Sequence, residues 1–238
     1  MKTTLLSNAT LFLGLAAVGL FSCKKSEETP VAPVGNARVQ IIHAAVNSPS
    51  LDVYQNTNRI VTPFEYGRGN GYQTYKAEAQ TFDINEVGKS NRLYTVPAFT
   101  PVTNADYTII LVNRSTTDQA LDAINLRDTL TTSSSGKAFV RFVHAIPNAG
   151  NIGITKDTIS IIPGIPAAGI TYRAVTRFAE VVAGNSNYSV VDGNTKVIAN
   201  LSSNFDLTAG RYYTIIAMGT ISGTGAQEPK LVKFENVK

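Results

Sequence analysis

Cysteine occurs once in this 238-residue chain, at Cys23, so no disulfide can form within it. Small exported domains that lack a core depend on such bridges. Here 43% of residues are hydrophobic, enough to bury a core without a disulfide or a structural metal. No apolar run reaches the roughly 20 residues that cross a bilayer; the longest candidate, Leu11 to Phe21, has the length of an export-signal core instead. Charge of one sign is not concentrated. The chain carries 21 basic and 17 acidic groups, net +4, and no run of Lys or Arg interleaves with aromatics, which argues against a nucleic-acid surface. Catalytic signatures are missing too. There is no Gly-x-Ser-x-Gly elbow for a serine nucleophile and no Asp-x-Asp-x-Asp-Gly calcium loop. Gly67-Arg68-Gly69-Asn70-Gly71 is followed by the strand-like Tyr72-Gln73-Thr74-Tyr75, so it offers no helix N-terminus to a phosphate. The scattered Asp and Glu positions give no spacing argument for a glycosidase pair. The expectation is a protein that is not an enzyme, with no catalytic residue, cofactor or metal.

What is present begins with an address. Lys2 precedes the apolar stretch, and Leu20-Phe21-Ser22-Cys23 closes it. That tetrapeptide resembles a bacterial lipobox, with an aliphatic residue at −3, a small one at −1 and the cysteine at +1; Phe21 at −2 is bulkier than usual. The resemblance implies a signal peptide over 1–22 and a diacylglycerol on the Cys23 thiol. Lys24-Lys25 follow directly and could touch lipid headgroups; an acyl group plus local basic charge anchors better than either alone. Residues 23–36, polar and containing Pro30 and Pro33, read as a lipidated, flexible tether. Charged residues after the cysteine, Glu27-Glu28 among them, resemble the surface-export signal of Bacteroidota lipoproteins. The expected location is the bacterial outer membrane, on its cell-surface or its periplasmic face.

The remainder repeats. Ala37-Arg38-Val39-Gln40-Ile41-Ile42-His43-Ala44 returns as Ala138-Phe139-Val140-Arg141-Phe142-Val143-His144-Ala145, and Tyr107-Thr108-Ile109-Ile110 as Tyr213-Thr214-Ile215-Ile216. Gly69-Asn70-Gly71-Tyr72 is matched to Gly169-Ile170-Thr171-Tyr172. Spacings near 100 residues, kept in order, indicate two units of domain size. The expected boundaries are 37–130 and 137–238, joined by the small polar linker 131–136.

Within each unit the pattern is β. Val39, Ile41 and His43 share one face of a period-two strand, with Arg38, Gln40 and Ile42 on the other. Asn47-Ser48-Pro49-Ser50 stops that strand before Leu51-Asp52-Val53-Tyr54. Asp192-Gly193-Asn194-Thr195 marks a hairpin after Tyr188-Ser189-Val190-Val191. Only Asp118 to Leu130 could pass for a helix, and the Thr run after it argues against a long one. The fold class is all-β, two tandem β-sandwiches.

These segments resemble the bacterial domain-of-unknown-function family 4397. The carrying residues are Ile42-His43-Ala44 with Leu51-Asp52-Val53-Tyr54, Val143-His144-Ala145-Ile146-Pro147-Asn148-Ala149, Ala183-Gly184 leading to Tyr188-Ser189-Val190, and the two Tyr-Thr-Ile-Ile strands. Asn151-Ile152-Gly153-Ile154 departs from the family's Val-Asp-Val-Tyr. The resemblance implies immunoglobulin-like sandwiches on secreted or lipid-anchored proteins, and no activity.

Candidate functional residues are few. His43 and His144 are the only histidines and occupy matching strand ends. Asp52 could partner His43, but its counterpart is Asn151 or Gly153, so a repeated metal site would have lost a donor. Both histidines are expected to be structural, each with a ring nitrogen bonded to a turn carbonyl. Tyr66, Arg68 and Tyr75 are the candidate binding residues, since tyrosine and arginine on a loop make protein and sugar contacts. Tyr66 and Arg68 have no counterpart in the second unit by the letters of the repeat. Asp128-Thr129-Leu130 and Asp157-Thr158-Ile159 resemble the Bacteroidota O-glycosylation motif, which makes Thr129 and Thr158 candidate modification sites. The function these readings support is a lipid-anchored, non-enzymatic envelope protein that binds a macromolecule or glycan through sandwich loops. The alternative is a structural spacer or assembly subunit of a surface complex. Expected partners are the membrane, through the lipid, and a protein or glycan ligand.

Overall fold

A computed structural model describes residues 34–130, 136–157, 160–161, 165–166, 168–192 and 197–236. The signal peptide, Cys23, the tether up to residue 33, linker residues 131–135 and Thr158 lie outside the described residues.

Eight strands come from the first half of the chain: β1 (Asn36–His43), β2 (Leu51–Gln55), β3 (Asn58–Phe64), β4 (Gln73–Lys76), β5 (Gln80–Glu86), β6 (Arg92–Phe99), β7 (Asp106–Asn113) and β8 (Leu121–Asp128). Eight come from the second: β9 (Lys137–Ala145), β10 (Ile152–Lys156), β11 (Ser160–Ile161), β12 (Ala179–Val182), β13 (Gly184–Asp192), β14 (Val197–Leu207), β15 (Tyr212–Met218) and β16 (Lys230–Asn236). The only helical turn among the described residues is a 3₁₀ turn at Gly225–Gln227. The stretch with some helical character in the sequence is strand β8, held in unbroken antiparallel register against β7 from Asp106↔Asp128 to Asn113↔Leu121.

The strands make four sheets of four. In the first half the orders are β4-β1-β7-β8 and β3-β2-β5-β6; in the second they are β12-β9-β15-β16 and β11-β10-β13-β14. The orders correspond strand for strand, down to the parallel pairing of β1 with β7 and of β9 with β15. Each half buries its own core. Val39, Ile41, Val53, Phe82, Ile84, Ile109 and Leu111 pack together in one, and Val140, Phe142, Ile152, Ile154, Tyr188, Val190 and Ile215 in the other.

A third core joins the halves. Ile42, Ala44, Ile110 and Val112 pack in one cluster with their counterparts Val143, Ala145, Ile216 and Met218. The sheets holding β1 and β9 are therefore covered on both faces, and four layers stack in series. This accounts for the unbroken apolar runs Ile109-Ile110-Leu111-Val112 and Ile215-Ile216-Ala217-Met218, which a strand with one wet face would not carry.

Hydrogen bonds correct one part of the repeat. The His43 N–H donates to the Arg68 carbonyl and the His144 N–H to the Ala174 carbonyl; Gly67 N–H bonds His43 O as Arg173 N–H bonds His144 O. The bridges Ile42↔Gly69 and Val143↔Val175 agree. Tyr66 is thus the counterpart of Tyr172, Arg68 of Ala174, and Tyr72 of Phe178. The Gly-x-x-Tyr letters had aligned Tyr72 with Tyr172 because the second half holds extra residues ahead of this loop, which only the backbone pairing reveals.

Candidate functional site

Both histidines are fully buried at the ends of β1 and β9. His144 Nε2 donates to the Gly150 carbonyl at 2.9 Å and Nδ1 accepts from Ile146 N–H at 3.2 Å, which fixes a neutral ring. His43 faces the equivalent Pro49 carbonyl, but no partner reaches hydrogen-bond geometry at either of its nitrogens. Burial pushes both rings down to about 4. Asp52 accepts from Gly88 N–H at 3.1 Å and lies 3.7 Å from Arg59. No group of three metal-ligating side chains occurs among the described residues.

The three candidate binding residues do not form one surface. Tyr66 packs into the core between the halves, edge-on to His43 at 5.9 Å and under the Lys230 ammonium at 4.7 Å. Tyr172 repeats this against His144 at 5.8 Å. Its hydroxyl donates across the junction to Asn113 O at 2.9 Å. Tyr66 points likewise at Gly219, the counterpart of Asn113, without reaching hydrogen-bond geometry, and burial raises its phenol. Tyr75 lies on β4 against the first-half core, edge-on to Phe82 at 5.5 Å, and burial pushes it up to about 12. Arg68 alone of the three is exposed. Tyr66 and Tyr75 therefore sit on opposite faces of the β4-β1-β7-β8 sheet.

The centre of the junction is polar. In the first half Gln40 Nε2 donates to Thr108 Oγ1 at 3.0 Å, and Thr108 donates to Asp128 Oδ2 at 2.7 Å. In the second half Arg141 Nε donates to Thr214 Oγ1 at 2.8 Å, and Thr214 donates to Asn236 Oδ1 at 2.7 Å. Gln40 and Arg141, Thr108 and Thr214, and Asp128 and Asn236 are the matched pairs. Cross-bonds tie the triads together: Arg141 Nη1 pairs with Asp128 Oδ1 at 2.5 Å, and Asn236 Nδ2 donates to Thr108 Oγ1 at 3.2 Å and to the Tyr72 hydroxyl at 2.8 Å. Tyr72 donates in turn to Asp128 Oδ2 at 2.6 Å. Arg141 is 3% exposed and Asp128 7%. One buried charge of each sign, set among neutral counterparts, lets two similar surfaces meet without like charges facing each other.

At one end of this network a trough of about 440 Å³ opens between the halves, lined by Leu126, Arg127, Thr129, Arg141, Arg177 and Phe178 among others. A second trough, about 530 Å³, adjoins it through Arg127 and Thr129 and reaches Asn104, Asp106 and Asp128. The Arg141 guanidinium lies 4.8 Å over the Phe178 ring, and Tyr212 stands edge-on to that ring at 5.2 Å. Arg127 and Arg177 are exposed, with no ion-pair partner among the described residues. Thr129 is exposed on the rim, but the Asp128 beside it is spent in the buried network. Sequence reasoning missed this site. Its one signal was Arg141 inside an otherwise apolar strand.

No curated protein matches the chain. Among solved structures, streptococcal family 41 carbohydrate-binding modules described for alpha-glucan recognition align over 82% of this chain and 96% of theirs, at 11% identity and a TM-score of 0.27. A streptococcal virulence factor described for alpha-glucan binding aligns at 10% identity and a TM-score of 0.26, over 83% of this chain and 96% of that one. A multi-modular glycogen-degrading pneumococcal virulence factor, SpuA, aligns over 82% of this chain but only 21% of its own, at 11% identity and a TM-score of 0.26. Likeness at that level says nothing about what this chain binds. The family model of the domain of unknown function DUF4397 matches residues 37–155, running from β1 through the whole first half and on into β10. That match takes in half of the chain, with both His-Ala strand ends and the buried strand β7, and the chain belongs to this family.

Proposed function

We propose that this is a lipid-anchored, non-enzymatic protein of the bacterial outer membrane, built of two sandwich domains over 37–130 and 137–238, that binds a macromolecule or glycan. The observation that carries the reading is the trough between the halves. It sets exposed cationic and aromatic side chains on an otherwise close-packed junction, the composition of a contact surface. The contact thereby moves from the sandwich loops to the seam. The buried network across that seam also favours the second reading, a stiff spacer in a surface complex, because it holds the halves as one body. Full-length protein purified in detergent and probed against arrayed glycans and envelope extracts separates the two: a saturable ligand supports binding, and none at all favours the spacer. Anchoring is tested apart from this by Cys23→Ala, which should move the protein from the membrane to the soluble fraction.

A further inference from the structure

The junction is built from matched positions, so the places where the halves disagree mark what one end has acquired. Arg127 pairs with Asp106's neighbour Tyr107 on β7, and its equivalent on β16 is Glu235, which pairs with Tyr213. Arg141 corresponds to Gln40. Arg177 corresponds to Gly71, and Phe178 to Tyr72. Three arginines thus stand where the other half has an acid, an amide and a glycine.

At the opposite end the counterpart of Phe178 is held by hydrogen bonds. Tyr72 is fastened by its hydroxyl to Asp128 and Asn236, and Gly69 lies so near the Phe234 ring that an added Cβ would stand 3.1 Å from it. Phe178 has no hydroxyl with which to fasten itself, and the space beside it remains open as the trough. Asp128 neutralises Arg141, which leaves the excess charge to Arg127 and Arg177. The Nη2 nitrogen of Arg141, itself buried, has no hydrogen-bond partner among the described residues. An unpaired buried donor beside two exposed guanidinium groups is a demand for an oxyanion.

Resting on the binding function proposed above, we infer that the trough takes an acidic polysaccharide, with uronate carboxylates on Arg127 and Arg177 and a sugar ring against Phe178. Guanidinium forks match carboxylates in geometry. The partly buried Phe178 ring, which lies under Arg141 and lines the trough, offers apolar surface to the C–H groups of a pyranose. The adjoining trough, reached past Thr129 and lined by Asn104 and Asp106, extends the site beyond one sugar and supplies hydrogen-bonding groups for hydroxyls.

The test is affinity electrophoresis of the full-length protein in detergent through gels containing polygalacturonate, a neutral glucan or polyglutamate. Arg127→Gln/Arg177→Gln is the test variant. Arg92→Gln, which alters an exposed arginine on β6, is the control. Retardation by polygalacturonate, lost about tenfold in the double variant and weakened by salt but kept in the control, is the expected result. Equal retardation of the double variant overturns the assignment of the site. Equal retardation by the neutral glucan overturns its acidic selectivity while leaving glycan binding standing, and equal retardation by polyglutamate overturns the sugar. No retardation by polygalacturonate, with another glycan bound, sinks this inference alone; if no ligand of any class binds, the binding function falls with it.

Discussion

Asp128→Asn isolates the energetics of the junction. Asp128 and Arg141 are both buried and in contact at 2.5 Å. The substitution keeps the shape of the side chain and can keep an acceptor for the Thr108 and Tyr72 hydroxyls. It removes the carboxylate that pairs with Arg141, however, and turns an N–H donor toward a guanidinium. Stranding one partner of a buried pair costs about 3–5 kcal/mol. For a unit of this size each kcal/mol lowers Tm by about 2–4 °C, so the variant should melt about 6–20 °C below wild type. Each half already shows the neutral residue at the other's charged position, Asn236 at that of Asp128 and Gln40 at that of Arg141. Asp128→Asn/Arg141→Gln copies it, giving both triads the same Gln-Thr-Asn composition, and should return to within about 1–2 kcal/mol of wild type. Urea titration followed by circular dichroism measures all three variants with Arg141→Gln, closing a double-mutant cycle. A coupling below about 1 kcal/mol, or a double variant as unstable as Asp128→Asn, would refute the claim that a buried charge is what the pair neutralises.

The two buried histidines predict a pH dependence of definite sign. Their folded-state values of about 4 lie below the unfolded value of about 6.5, so stability is complete above about pH 6.5 and drains as pH falls toward 4. The loss is roughly 3 kcal/mol for each ring, read as a falling urea midpoint between pH 7 and pH 4.5; replacing both histidines with glutamine should flatten that slope. At neutral pH, His144→Gln should cost about 1–2 kcal/mol and more than His43→Gln, since only His144 has both nitrogens bonded; thermal melts rank the two. Gly169→Ala should destabilise by about 2 kcal/mol or more, because φ is +75° there and a Cβ would stand 2.7 Å from the Ile152 backbone carbon; equal melting of this variant and wild type would show that the turn relaxes freely.

Local chemistry made much of this legible in advance. Period-two alternation in β1 assigned Val39 and Ile41 to the core, because successive side chains of a strand must face opposite ways. The His-Ala and Tyr-Thr-Ile-Ile repeats located equivalent strands, and of the two turn-carbonyl bonds expected of the histidines, His144 makes one to Gly150 while His43 makes none in hydrogen-bond geometry. The loop around Tyr66 was harder. Letters aligned Tyr172 with Tyr72, whereas the carbonyls of Arg68 and Ala174 show that its partner is Tyr66. Extra residues in a loop shift a sequence alignment freely but cannot shift a hydrogen-bonded bridge.

The sequence by itself determined the all-β class, the family and which strands of the two halves correspond at their His-Ala and Tyr-Thr-Ile-Ile segments, since these follow from spacing along one chain. Only the tertiary structure decided what covers the second face of β1 and β9. Arg38, Gln40 and Ile42 share the second face of the strand by alternation, and nothing near them in sequence says that Val143 and Ile216 lie on Ile42's side. The pairing of Asp128 with Arg141 and the gap beside Phe178 are likewise products of two surfaces meeting. Contacts between halves depend on how two separately formed surfaces are placed against each other, whatever the separation of the residues along the chain, and residue order alone carries no term for that.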